Sequence, residues 1–263
     1  MNKLISVSAA GALGLGAVAA HASIPLPSSG SSDAILFAEV VNAAGTAAVA
    51  SYAGDTGISI NSILSGGLSS TGTTVLGSDT KLQALFAADA AGDSIYFAVL
   101  AGQSNGNTVN TAGNAQFITS VLNNSTTTLA SKKNSALSLM NTQLNQDIGT
   151  VNVNSGGASS VEGSTPATAG VWDINNTGGT AYWGGAGIAN DNLSSVVEKL
   201  YYVTGGGGGN LSALSTPLLE GTAALSASGL LLTGNAVPLP PAVWLFGSGL
   251  LGLAGVSRRR AKA

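Results

Sequence analysis

The sequence predicts a mainly β domain, β-sandwich-like or an irregular β-sheet, with one or two helices and an apolar helix at each end. Three observations lead there. Short apolar runs recur between clusters of Gly, Asn, Ser and Asp, and only two internal segments keep helical spacing. The middle of the chain is built mostly from Ala, Gly, Ser, Thr and Asn, so each residue brings little apolar area to a core. No cysteine is present to staple the fold.

The elements follow in order. Ala34–Val41 is an apolar run interrupted only by Glu39. After the turn residues 42–45, Ala47–Ala53 runs to Gly54-Asp55-Thr56-Gly57, so the two read as a hairpin. Ser78-Asp79 can cap a helix over Thr80–Ala90, where Leu82, Leu85, Phe86 and Asp89 keep helical spacing and Gly92 ends the element. Ser94–Ala101 and Ala115–Leu122 are further strands. A second helix is expected from about Ser125 to Asp147. It places Leu129, Ala136, Leu137, Met140, Leu144 and Ile148 on one side, with Lys132, Lys133, Asn141, Asn145 and Gln146 elsewhere. From Gly149 to Gly209 the chain is mostly Gly, Ser, Asn and Thr around one aromatic patch. Glu198–Thr204, Thr222–Ser226 and Gly229–Thr233 close the body as strands. No repeat of fixed period indicates a solenoid.

The 263 residues carry a formal charge of −3, unevenly placed. The arginines are consecutive, Arg258, Arg259 and Arg260, with Lys262 beside them. Between Ser23 and Ala236 four lysines face twelve carboxylates, a net −8, with no Arg, His or Cys. That span therefore holds no Cys/His zinc site, haem ligand or iron–sulfur cluster. It has no base for a Ser-His or Cys-His nucleophile, and its charge disfavours nucleic acid. Gly205–Gly209 is a flexible loop, not a phosphate cradle between strand and helix.

Both ends read as addresses. Lys3 precedes an apolar stretch to Ala20, then Ala20-His21-Ala22. This order of charge, apolar segment and small-x-small site marks residues 1–22 as a signal peptide for signal peptidase, cut between Ala22 and Ser23. Residues 23–33, rich in Pro, Ser and Gly, are expected as a flexible tether, and residues 34–236 as the exported domain. At the other end, Val237-Pro238-Leu239-Pro240 leads into the uncharged stretch Ala242–Val256 and the basic cluster. Those fifteen residues reach about 22 Å as a helix. A hydrocarbon core is about 30 Å thick, so counting back to Val237 brings the length near to spanning. The basic cluster keeps its end cytoplasmic, giving an inner-membrane intermediate.

Residues 237–263 resemble the PEP-CTERM sorting signals of Gram-negative bacteria. Motif, apolar span and basic cluster stand in that order, with Leu239 where the usual Val-Pro-Glu-Pro motif has glutamate, as in the V-P-L-P variant class. The resemblance implies an exosortase-type enzyme as partner, removal of the tail, and delivery to the cell surface or extracellular matrix. A plain anchor that is kept is the alternative. The order of strands and short helix around Ser51–Gly57 also looks like other exported proteins bearing such signals, a group for which no activity carries over.

Within the body, Trp172, Tyr182 and Trp183 can form a stacking face for sugar rings, or pack over a thin core. Asp173 and Asn175, in Asp173-Ile174-Asn175-Asn176-Thr177-Gly178, partly match a calcium loop. Gly184 stands at the twelfth position, where a bidentate Glu is needed, so an Asx turn explains the same letters. Asp89 with Asp93, or Asp55 with either, would be the carboxylates of a glycan-active enzyme, against a default of solvated surface charge. The expectation is a structural or adhesive surface protein without catalysis or cofactor. The alternative is a carbohydrate- or calcium-dependent module of an exopolysaccharide matrix.

Overall fold

The computed structural model describes residues 23–104, 115–121, 133–156, 158–164, 197–206, 212 and 214–235. The expectation of a mainly β domain holds. Among the described residues nine strands form one antiparallel sheet: β1 (Asp33–Val41), β2 (Ala48–Ser59), β3 (Thr73–Val75), β4 (Ser94–Ser104), β5 (Ala115–Val121), β6 (Ser160–Gly163), β7 (Glu198–Thr204), β8 (Thr216–Ser226) and β9 (Gly229–Gly234). Their spatial order is β3-β9-β8-β7-β5-β4-β1-β2-β6. Among the described residues three α-helices accompany them: α1 (Ile60–Leu64), α2 (Thr80–Ala87) and α3 (Asn134–Asn154).

Strand β1 shows why the sheet is covered on both sides. All nine of its residues are buried, as a continuous apolar run requires, whereas a half-exposed strand would alternate. Ile35 and Phe37 join one apolar cluster with Leu137, Met140, Leu144, Ile148 and Val151 of α3. Leu36, Ala38 and Val40 join a second, with Ile60 and Ile63 of α1 and Leu82 and Leu85 of α2. Helices thus lie on both faces, and the sheet curls so that the second cluster also takes in Leu230 and Leu232 of β9.

The crossing explains the curl. Strands β2 and β3 are neighbours in sequence but stand near opposite ends of the sheet. The chain crosses the concave face through α1, bonding Gly234 N–H to the Ser69 carbonyl at the far side (2.9 Å). It returns through α2, which packs on β1, β2 and β6.

Helix α2 begins where its cap predicts. The Asp79 carboxylate accepts from the Lys81 and Leu82 N–H groups, and the helix ends at Ala87, three residues early. Helix α3 differs more from expectation. It starts at Asn134 rather than about Ser125 and runs on through Gly149 to Asn154. Val151 continues the stripe of Ile148, and this packing outweighs the roughly 1 kcal/mol that glycine costs inside a helix. Strand β2 likewise runs past Gly54-Asp55-Thr56-Gly57 to Ser59, taking up the extra residues as a register shift against β1.

The expected tether is docked instead. Ile24 is 1% exposed and belongs to the α3 cluster. Pro27–Ser29 form one 3₁₀ turn, and the Ser32 N–H bonds the Gly102 carbonyl at 2.8 Å. Apolar Ile24 and Leu26 have a core to join, which Pro/Ser/Gly composition alone does not reveal. Among the described residues no helix is long and apolar enough to cross a membrane. Both expected terminal helices lie outside the described residues.

Candidate functional site

The most developed polar arrangement lines one side of α3. Asn141, Asn145 and Asn152 are spaced by four and seven residues, so they share a stripe along the helix. The sequence assigns the first two to the polar face, and they are polar, but this stripe meets backbone rather than only water. Asn152 reads Ile24 on both sides of its residue. The Ile24 N–H donates to Asn152 Oδ1 at 2.7 Å, and Asn152 Nδ2 donates to the Ile24 carbonyl at 2.9 Å. The Ser28 N–H donates to Asn145 Oδ1 at 3.1 Å. Asn141 is 1% exposed, its Nδ2 3.5 Å from the Gln103 carbonyl.

The strap formed by residues 24–32 is gripped from its other side by β4. Gly102 N–H donates to Ser32 Oγ at 2.7 Å. A Cβ at Gly102 would stand 2.8 Å from Pro27 Cγ and 2.7 Å from Asn141 Oδ1, so only glycine lets strap and helix meet here. Chemically this is a groove that holds the strap's main chain through amide side chains, with Ile24 as its apolar anchor. Sequence reasoning misses it because its partners are 128 residues apart.

Strand β2 carries the second polar group. Tyr52 is fully buried and donates to Asp79 Oδ2 at 3.0 Å, tying the cap of α2 to the sheet. Burial first, then the Asp79 charge and hydrogen bond, then the Asp55 charge hold the phenol protonated far above its usual range. Its ring lies over Gly54, where a Cβ would fall 2.0 Å from the hydroxyl oxygen. Lys81 donates from Nζ to the Ser160 carbonyl, fastening α2 to β6.

The carboxylates considered as catalytic pairs do not come together. Asp89 is exposed and Asp93 turns back to accept from the Ala90 N–H at 3.2 Å. Asp93 precedes β4 where Ser94 faces Val41, whereas Asp55 faces Ile35. Six residues of β1 separate those points, about 20 Å along a strand. The acid beside Asp55 is instead Asp33, diagonal to it across the register shift. The two are 6% and 7% exposed, and Asp55 accepts from the Gly57 N–H at 2.8 Å in an Asx turn. That geometry shapes the bend of β2.

Glu198 is the least expected acid. It opens β7 opposite Ala223, is fully buried, and among the described residues neither carboxyl oxygen has a hydrogen-bond partner. Burial pushes it up to about 8, and the neighbouring Ser120 hydroxyl offsets only a little of that. Ser120 Oγ accepts from the Val99 N–H at 2.8 Å and does not reach bonding geometry with the carboxyl.

Of the residues singled out from the sequence, Ser23 is described and exposed. Ala20, Ala22, Trp172, Asp173, Asn175, Tyr182, Trp183, Val237–Pro240, Arg258–Arg260 and Lys262 lie outside the described residues. Among the described residues no group of three or more acidic, His or Cys side chains is placed to hold a metal ion. No family model, curated protein or solved structure matches the chain.

Proposed function

We propose that this chain is an exported cell-surface or extracellular-matrix protein, structural or adhesive in role. Signal peptidase handles its first end and an exosortase-type enzyme its last. In this reading the two apolar terminal stretches act as membrane helices: the leader is lost on export, and the tail holds an inner-membrane intermediate until the sorting enzyme acts.

One observation carries the reading: the packed residues of the described chain fill the stretch that the two sequence signals flank, residues 1–22 before it and 237–263 after it. Near its start the Ile24 N–H bonds Asn152 Oδ1 (2.7 Å). Near its end the Asn235 N–H bonds the Glu220 carbonyl (3.0 Å) and its Nδ2 the Leu219 carbonyl (2.6 Å). Terminal-peptide mass spectrometry on secreted material tests this. The expected mature chain starts at Ser23 and lacks Arg258–Arg260. A mature chain that keeps the basic cluster would refute sorting, and one that keeps residues 1–22 would refute the leader.

A further inference from the structure

Ile24 stands where two binding events compete for the same atoms. Proteins that take a peptide as an added strand grip its main-chain N–H and C=O groups, and a peptidase cutting after Ala22 has to hold the backbone just beyond the cut. In the fold, both of those groups of Ile24 belong to Asn152, at 2.7 and 2.9 Å, and its side chain is 1% exposed. Ser28 and Ser32 fix the rest of the strap to Asn145 and Gly102. A strap in the groove and a strap in a peptidase cleft therefore exclude each other.

We infer that residues 24–32 form a maturation latch: docking of the strap into the Asn145–Asn152 groove closes the Ala22–Ser23 junction to signal peptidase, so leader removal precedes docking. The inference rests on the leader reading above. Asn152 sets the latch, because it satisfies both main-chain groups of Ile24 at once. Leader and strap act in order: the cut is made while the strap is open, and docking of Ile24 then closes this edge.

The test uses the full chain in detergent with purified signal peptidase, either refolded beforehand or diluted from urea at the moment of mixing. The refolded precursor should be cut at least about tenfold more slowly, since the enzyme meets only the fraction whose strap has opened. Asn152→Ala in the refolded precursor should recover most of that factor. Asn152→Asp, which keeps the acceptor for the Ile24 N–H and loses the donor to its carbonyl, should recover part of it. Circular dichroism of each variant shows whether the sheet is intact. If Asn152→Ala does not fold, Asn152→Asp and the comparison of refolded with diluted wild type still decide. Equal rates for refolded and diluted wild type would overturn the latch alone. No cut after Ala22 even in the diluted chain would overturn the leader reading and the latch together.

Discussion

The two faces of the sheet are held by different forces. Under α1 and α2 the packing is mainly aliphatic and aromatic, with Ser120 and Glu198 among its buried polar members on β5 and β7 and the Tyr52–Asp79 hydrogen bond at the cap of α2. Under α3 the apolar stripe shares space with Asp33, Glu39, Ser51, Asp55, Thr119, Asn141 and Asp147, all buried. Apolar burial is non-directional and supplies free energy without choosing a register. Amide and carboxylate groups bond only in particular geometries, and leaving one unmet costs about 1–3 kcal/mol. The α1/α2 face therefore supplies stability, and the α3 face decides where a long helix and a terminal strap sit. With aromatics only 5% of the residues, the chain has few large side chains to do both on one side.

The largest expected effect tests the first half of that contrast. Leu85 is fully buried, one of two buried anchors on the eight-residue α2. Leu85→Ala should cost about 2–5 kcal/mol, the range for large-to-small changes in a core. Leu144→Ala on the longer α3, which has other apolar and amide contacts to share the loss, should cost less. Urea denaturation with unchanged m-values reads both directly. Equal losses at the two sites would erase the distinction between the faces.

Glu198 breaks the apolar rule of its own face, and that exception gives a pH test. Its folded value, about 8, lies above the ordinary 4.5, so the folded state holds a proton that the unfolded chain releases. Stability is then fully present below pH 4.5 and is lost as the pH rises toward 8. Each pH step across that window costs on the order of 1 kcal/mol. Glu198→Gln cannot ionise and should flatten the decline, making the variant relatively more stable at pH 8 than at pH 5. Melting temperatures at both pH values check it, and parallel curves for wild type and variant would remove Glu198 as the cause.

Much of this architecture is legible locally. Strand β1, the β1–β2 hairpin and the Asp79 cap each rest on a few adjacent residues whose chemistry permits one reading. Short polar elements are not: Ser160–Gly163 is a strand because β2 offers it an edge, and Ile60–Leu64 is a helix because Ser59 caps it over a concave apolar face. The groove is hidden for the same reason, since Asn152 gains its role only when Ile24 returns from the far end of the chain. Gly149 shows the conflict most directly, for it reads as a helix stop and lies inside α3.

That glycine also sharpens the comparison at its smallest scale. Gly149 has no positive φ, and nothing lies within 4 Å of where its Cβ would be. Tertiary packing of Ile148 and Val151 holds the helix through it, against glycine's greater freedom in the unfolded chain. Gly149→Ala should therefore stabilise the protein by up to about 1 kcal/mol, a rise in melting temperature with no change in the sheet. Because Asn145 and Asn152 lie on either side of it, a stiffer helix should also slow amide exchange at Ile24 in the mature chain. A gain in melting temperature without slower exchange there would mean that α3 is already rigid at its last two turns, and that the asparagine stripe rather than the helix limits how often the strap opens.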